Sequence, residues 1–367
     1  MQITIERTHL ARAVAHVQSV TEKRNTIPIL GNVLLEADQG HLRLTATDMD
    51  VSMIETVPCQ IAAPGATTVP AGLFHEILGK LPEGLEVALS LDSETGRLRL
   101  QAGRSDFSLS TLPREDFPVV ATESMPIQFE ISGTDFGALI DKTRFAISKE
   151  GTRYYLTGIF LHTADQTLTG VATDGHRLAK VALPAPRGAD GLDGIIIPAK
   201  TVAEIRKLAD GDGALDIGIS PTKIQVAAGN VQLISKLIDG TYPDYQQVIP
   251  TGNDTTLIVD RDAFMAAVDR VSIVAADRTR AVKIAVQAGS VTIQANSAEA
   301  GTATEHVEGD YDGAPMEIGF NARYLIDILR ELKGDTARFQ LSEASKPTLV
   351  SDPTDASALY VLMPMRV

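Results

Sequence analysis

Polar and apolar positions alternate along the chain with two periods, and the two follow each other in the same order three times. Ile3 and Ile5 have the period-two spacing of a strand, and the stretch 6–20 behind them places Leu10, Val14 and Val17 at helical spacing. The passage returns at Phe129 and Ile131 ahead of 134–147, which carries Phe136 and Ile140. It returns again at Leu257 and Val259 ahead of 261–273, which carries Phe264 and Val268. Thr134 and Asp260 stand where a helix N-cap belongs. A second strand–helix passage runs through Val69 into Leu73, Phe74, Ile77, Leu78 and Leu81, and through Ile196 and Ile197 into Val202, Ile205 and Leu208. Its third copy runs through Ile318 and Phe320 into Tyr324, Leu325, Ile328, Leu329 and Leu332. Short alternating strands at 40–45, 97–101, 223–227 and 291–295 fill the intervals.

Pro and polar residues gather at 121–126 and 250–255, so the expected domains are 1–122, 123–250 and 251–367. Units of this length exceed a solenoid repeat and each can bury its own core. The expectation is an α+β fold of three similar domains, each with two helices and antiparallel strands. One short landmark recurs within them. Thr45-Ala46-Thr47-Asp48-Met49-Asp50, Val171-Ala172-Thr173-Asp174-Gly175-His176-Arg177-Leu178 and Ile293-Gln294-Ala295-Asn296-Ser297 each close an apolar strand, and the middle copy carries the most distinctive side chains.

Composition narrows the functions. A hydrophobic share of 44% with 22% charged residues is ordinary for a globular protein, and no window approaches a membrane-spanning run. A single cysteine, Cys59, excludes an intrachain disulfide and a cysteine-rich zinc site, and the N-terminus has no signal-peptide pattern, so a cytoplasmic protein is expected. The net charge of −14 argues against gripping nucleic acid by bulk charge. Its distribution changes that picture, because the six predicted helix regions together sum to about +3 and leave the acidity on strands and loops. Lys142, Arg144, Lys200, Arg206, Lys207, Arg323, Arg330 and Lys333 are the candidates for a basic face, and any contact would be to backbone phosphate.

Catalytic motifs fail on inspection. Gly72 to Lys80 has the wrong spacing for a phosphate loop and Leu81 where Ser or Thr is needed; His75-Glu76 lacks its second histidine. Asp210-Gly211-Asp212-Gly213 has Pro221 in place of the closing Glu of a calcium loop. Asp174, His176 and Arg177 could form an acid–base set, but no nucleophile motif accompanies them, and Asp-Gly reads more simply as a turn. The apolar ending Met363-Pro364-Met365-Arg366-Val367 favours docking on the protein's own surface over hanging in water.

Seven motifs in order then carry a resemblance over the whole chain. They are Thr26-Ile27-Pro28-Ile29-Leu30-Gly31-Asn32, Pro64-Gly65-Ala66-Thr67-Thr68-Val69-Pro70, Gly103-Arg104-Ser105 with Phe107-Ser108-Leu109-Ser110-Thr111-Leu112-Pro113, and Arg153-Tyr154-Tyr155-Leu156-Thr157-Gly158. The others are Thr173 to Leu178, Tyr242-Pro243-Asp244-Tyr245 and Met363-Pro364-Met365-Arg366. The chain resembles the β subunit of bacterial DNA polymerase III, the β sliding clamp family.

That resemblance implies a clamp fold: a head-to-tail homodimer closed into a ring, helices lining the hole and sheets outside. It implies a non-catalytic processivity role on double-stranded DNA without sequence choice, with no cofactor or metal. Expected DNA-facing residues are Arg24, Lys142, Arg144, Lys149, Lys200, Arg206 and Lys207. Glu150, an acid beside Lys149, departs from what a phosphate contact needs. Expected interface residues are Ile77, Leu81, Arg104 and Phe107 on one edge, with Ile273 and Val274 on the other. A partner-peptide pocket is implied at Arg153, Tyr155, Leu156, Thr173, Gly175, His176, Arg177, Leu178, Pro243, Val248, Val361, Met363, Pro364, Met365 and Arg366. The implied partners are the replicative polymerase α subunit, the clamp loader δ subunit, and other polymerases and repair proteins with Gln-Leu-x-Leu-Phe-like segments. Gln246-Gln247 departs from family members with Arg there. An enzyme using Asp174 and His176, or a scaffold that never meets DNA, are the competing classes.

Overall fold

The structure is a computed structural model describing residues 1–21, 26–92, 94–120, 123–210, 213–275 and 280–366. Six α-helices occur among them: α1 (Arg7–Gln18), α2 (Ala71–Lys80), α3 (Gly133–Arg144), α4 (Ala199–Leu208), α5 (Arg261–Ser272) and α6 (Ala322–Glu331). Each follows directly on a strand, as the change from period two to helical spacing requires. Polar residues at the strand ends cap the helices. Glu6 accepts the N–H groups of Thr8 and His9, Asp260 that of Ala263 at 2.7 Å, and Asn321 those of Arg323 and Tyr324. Thr134 is not a cap, because α3 already begins at Gly133 and places Thr134 inside its first turn.

The described chain forms two compact units: Met1–Thr134 with Ala203–Leu237, and Asp135–Val202 with Ile238–Val367. In the first, a five-stranded antiparallel sheet runs Gln60–Ala63, Gln2–Glu6, Glu86–Leu91, Leu98–Ala102, Ser105–Leu109. An eight-stranded sheet runs Ile127–Ser132, Ala214–Ile219, Lys223–Ala228, Val231–Lys236, Val51–Pro58, His41–Thr47, Asn32–Asp38, Gly65–Pro70. Helices α1 and α2 pack together, and Leu10, Val14, Val17, Phe74 and Leu78 are fully buried.

In the second unit, a nine-stranded sheet runs Ile195–Pro198, Gly158–Ala164, Thr167–Thr173, Arg177–Pro184, Asp355–Leu362, Thr348–Asp352, Thr336–Leu341, Thr255–Asp260, Gly309–Tyr311. A four-stranded sheet runs Gly301–Val307, Ser290–Ser297, Ala281–Gln287, Met316–Asn321. Helices α5 and α6 pack together above buried Phe264, Phe320, Leu325 and Ile328, with Phe264 set edge-on to Phe339 at 5.5 Å.

The compact units do not follow the sequence repeats, because the large sheets run across the repeat boundaries. Val231–Lys236 of the middle third pairs with Val51–Pro58 of the first, Val231 opposite Glu55 and Ser235 opposite Val51. Asp355–Leu362 of the last third pairs with Arg177–Pro184 of the middle one, Leu362 opposite Arg177. Each pairing satisfies a row of edge N–H and C=O groups that an isolated domain would leave open. The first junction buries a carboxylate completely: Glu55 lies against His16 Nδ1 at 2.7 Å and accepts from Asn230 Nδ2 at 3.2 Å. Among the described residues, no helix is long and apolar enough to cross a membrane.

Candidate peptide-binding groove and assembly edges

The turn 173–177 is built by its own polar side chains. Thr173 Oγ1 donates to the Arg177 carbonyl at 2.7 Å and accepts the Gly175 N–H at 3.1 Å, while Asp174 Oδ1 accepts the N–H groups of His176 and Arg177. Gly175 takes φ +87°, and a Cβ there would lie 2.4 Å from Arg153 Nη1. The same bonds recur at 47–51, where Thr47 binds the Val51 carbonyl and Asp48 caps Asp50 and Val51, with Met49 in the glycine's place at φ +81°. The third copy is looser, with Ser297 Oγ accepting from Glu299 and Ala300 at 3.3 Å. Asp174 is thus a turn-former, as is Asp48 in the first repeat, while the third repeat keeps only the hydroxyl bonds of Ser297.

Arg177 ties this turn to α6 and to Phe145, the residue that follows α3. It is 8% exposed, and its guanidinium donates to Asp174, to Asp327 at 2.7 Å and to the Phe145 carbonyl at 2.6 Å. It lies 4.5 Å from the centre of the Tyr324 ring and 5.0 Å from that of Phe145. His176 is exposed and stacks on Tyr324 at 6.1 Å. Phe145, Asp327 and Tyr324 escaped the sequence reading. Tyr324 read there as a helix-core position, and its place in the first turn of α6 was the one available signal.

Leu156, Leu178 and Val361 share one buried cluster with Val171, Ile196, Tyr242 and Tyr245, and half-buried Tyr155 packs against it. Phe160 stacks on Tyr242 at 4.7 Å, and His162 is hydrogen-bonded to Tyr245 at 2.9 Å. Burial pushes the His162 pKa down and the Tyr245 hydroxyl up. Tyr245 opens a single 3-10 turn to Val248, whose side chain is 50% exposed; Pro243 precedes it on the surface. The C-terminal tail is docked, with Met363 N–H on the His176 carbonyl at 2.9 Å and Met365 N–H on that of Gly319 at 2.8 Å. Met363 is exposed beside it, Pro364 and Met365 are half-buried and Arg366 is exposed. Arg153 is held by Glu150 through Nε at 3.1 Å and Nη2 at 2.8 Å, which accounts locally for the unexpected acid.

The expected DNA-facing cations differ in setting. Lys142 is 12% exposed and bound to Asp355 and Ser357, so its charge is largely consumed within the chain. Arg144 pairs with Asp141, Arg206 with Asp210 and Lys207 with Glu204, all in the last turns of α3 and α4, where cations also offset the helix dipole. Lys149 is exposed, Lys200 is half-buried, and Arg24 lies outside the described residues. On the assembly edges, Ile273 is 77% exposed with Val274 half-buried, while Phe107 and Ile77 are half-buried and Arg104 is exposed. Leu81 is buried in its own unit, and the sequence reading missed Leu73, 48% exposed one turn before Ile77 on α2.

Three family signatures match the chain: the N-terminal domain of the DNA polymerase III beta subunit over residues 1–121, its central domain over 130–244 and its C-terminal domain over 246–366. The beta sliding clamp of Caulobacter vibrioides (strain NA1000 / CB15N) is 48% identical over 372 residues and that of Escherichia coli (strain K12) 38% over 369, with both chains fully covered each time. Among solved structures, a Caulobacter crescentus beta sliding clamp superposes with a TM-score of 0.96 at 48% identity over 100% of both chains. A Bartonella birtlesii sliding clamp bound to griselimycin gives 0.97 at 45%, again over 100% of both. With its three domain signatures in order and full-length relatives at this identity, the chain belongs to the β subunits of DNA polymerase III, the β sliding clamps, a family whose part in replication is non-catalytic.

Proposed function

We propose that two copies of the chain close head to tail around duplex DNA, slide on it, and hold polymerase, clamp loader and repair proteins through the groove at His176 and Met363. One observation carries the ring. Ser105–Leu109, Val231–Lys236 and Asp355–Leu362 are all second arms of hairpins, closed by Ala102 opposite Ser105, Ala228 opposite Val231 and Asp352 opposite Asp355, with Gly103 and Gly229 at positive φ in the first two turns. Val51–Pro58, Arg177–Pro184 and Gly301–Val307 each follow the repeated Thr/Ser turn. Members of the two sets pair within the chain twice, and Ser105–Leu109 and Gly301–Val307 remain as sheet edges.

A second copy supplies the missing partner, in the register of the first junction: Ser105 opposite Glu305 and Leu109 opposite Gly301. Exposed Ile273, Leu73 and half-buried Phe107 become the apolar anchors beside that pairing. A heterologous contact of this kind gives a ring when its rotation closes. The remaining cations, Arg24, Arg144, Lys200, Arg206 and Lys207, meet phosphates through exchangeable, partly water-bridged contacts that permit sliding, while Lys149 faces the cavity beside the groove. The groove joins an apolar floor (Leu156, Leu178, Val361) to polar guides at Arg153, Thr173 and His176, a design suited to a short apolar peptide. The griselimycin held by the Bartonella relative is in keeping with such a groove. The setting is cytoplasmic.

Loading the protein with a clamp loader and ATP onto a nicked circular plasmid tests this reading. The complex should survive gel filtration and fall apart when the plasmid is linearised. Equal retention on linear and circular DNA would mean ordinary charge binding, and no retention on either would leave a plain scaffold. Turnover of any substrate that vanishes on His176→Ala would instead favour an enzyme.

A further inference from the structure

Beside the apolar cluster a cavity of about 220 Å³ opens between residues 147–150, the turn 173–177 and the first turn of α6; Lys149, Arg177, Arg323, Glu150 and Asp174 are its charged walls. In a chain of net charge −14 these walls hold one more cation than anion. Each acid near the cavity is already engaged. Asp174 accepts two backbone N–H groups and Arg177, Glu150 holds Arg153, and Asp327 takes Arg177 at 2.7 Å. Arg323 reaches Asp327 only at 3.9 Å with its side chain 61% exposed, and Lys149 is exposed with no ion pair among the described residues. Two cations therefore face the cavity with charge to spare. The cavity is also continuous with the groove: His176, one of its walls, stacks on Tyr324, another wall, and takes the Met363 N–H on its carbonyl.

We propose that this cavity is a carboxylate subsite, in which Lys149 and Arg323 pair with an acidic side chain of the peptide docked in the groove. The inference rests on the groove being a peptide site. A single excess positive charge matches one carboxylate, whereas a run of phosphodiesters would also have to approach Glu150 and Asp174. The subsite gives partners a second criterion beyond apolar fit, and a polar pair at the rim of an apolar anchor contributes to discrimination more than to gross affinity.

Fluorescently labelled peptides with a Gln-Leu-x-Leu-Phe core, carrying Asp or Asn at x or at either flank, read this out by anisotropy on the intact protein. At one position Asp should bind about fivefold tighter than Asn at low salt, as a partly exposed ion pair allows, and the preference should shrink at high salt. Arg323→Ala should reduce the Asp preference below about twofold while the Asn peptide keeps its affinity, and Arg323→Lys should restore part of it. Lys149→Ala should lower the preference too. The proposal is overturned if no position prefers Asp, if the preference survives Arg323→Ala, or if both peptides weaken equally. It is also overturned if Arg323→Ala loosens retention on circular DNA and leaves the peptide preference intact, which would make the cavity a phosphate site. Failure of every peptide, neutral or acidic, would sink the groove itself and this inference with it.

Discussion

At the scale of single residues, Asp352 and Met49 show how the same polar turn chemistry can be relaxed or strained. Asp352 is nearly buried, which alone would raise its pKa, yet it accepts from the Thr354 hydroxyl and from the N–H groups of Gly334, Thr354 and Lys333, and these hold its carboxyl at about 2. A folded pKa below the usual 3.8 means stability that is present above pH 4 and lost as pH falls towards 2. Asp352→Asn should cost about 2 kcal/mol near neutral pH and flatten that acid limb in urea-unfolding curves, and a variant with unchanged acid sensitivity would contradict the assignment. Met49 instead carries a side chain at φ +81°, half-exposed, where the middle repeat has Gly175. Met49→Gly should raise stability by about 1 kcal/mol, read as a higher denaturation midpoint at constant slope, because it releases left-handed strain and loses little burial. The Thr-Asp turn was legible in sequence because its bonds are local. Arg177 was not, since Phe145 and Asp327 reach it only through folding; the resemblance named the residue but could not say that it is spent on the chain's own acids.

Elements were read with unequal success for a physical reason. The six helices announced themselves through spacing, and Asp260 announced its cap, because both depend on neighbours within a turn. The partners of the strands depend on edges brought together from separate repeats, so the junctions at Glu55 and Arg177 left no periodic signal. The last segment stands between these cases: five residues of apolar character suggested docking, and two backbone hydrogen bonds, Met363 to His176 and Met365 to Gly319, give that docking its register. Removing residues 363–367 should abolish peptide binding, because the tail supplies one wall of the groove and fixes the carbonyl of His176. The dimer should persist, since neither sheet edge nor Ile273 involves the tail. Calorimetric titration alongside sedimentation separates the two effects, and a truncated protein that binds peptide as before would refute the role given to the tail.

On the scale of the whole molecule, the two strands that the proposed ring would join, Ser105–Leu109 and Gly301–Val307, are each the end strand of a sheet. They present Ser, Thr, Gly and Phe107 with one acid each, Asp106 and Glu305, which Arg99 and Arg270 hold within the chain, and Ile273 is 77% exposed. If Ile273 and Val274 anchor the proposed contact, Ile273→Ala with Val274→Ala should yield monomers of 39.2 kDa in dilute solution. The register is tested separately, in a background where Cys59 is replaced by Ser. Cysteines at Ser108 and Thr302, which face each other in the transferred pairing, should oxidise to a covalent dimer, while the pair Ser108 and Thr304 should cross-link poorly. Three exposed positions on two strands make the comparison fair only if both variants fold alike, so the melting profile of each reduced protein is measured first. Preferential cross-linking of Ser108 with Thr304 would shift the register by two residues and detach Glu305 from Ser105. Cross-linking of neither pair, in a protein that still sediments as a dimer, would place the contact on another surface and remove the basis for a head-to-tail ring.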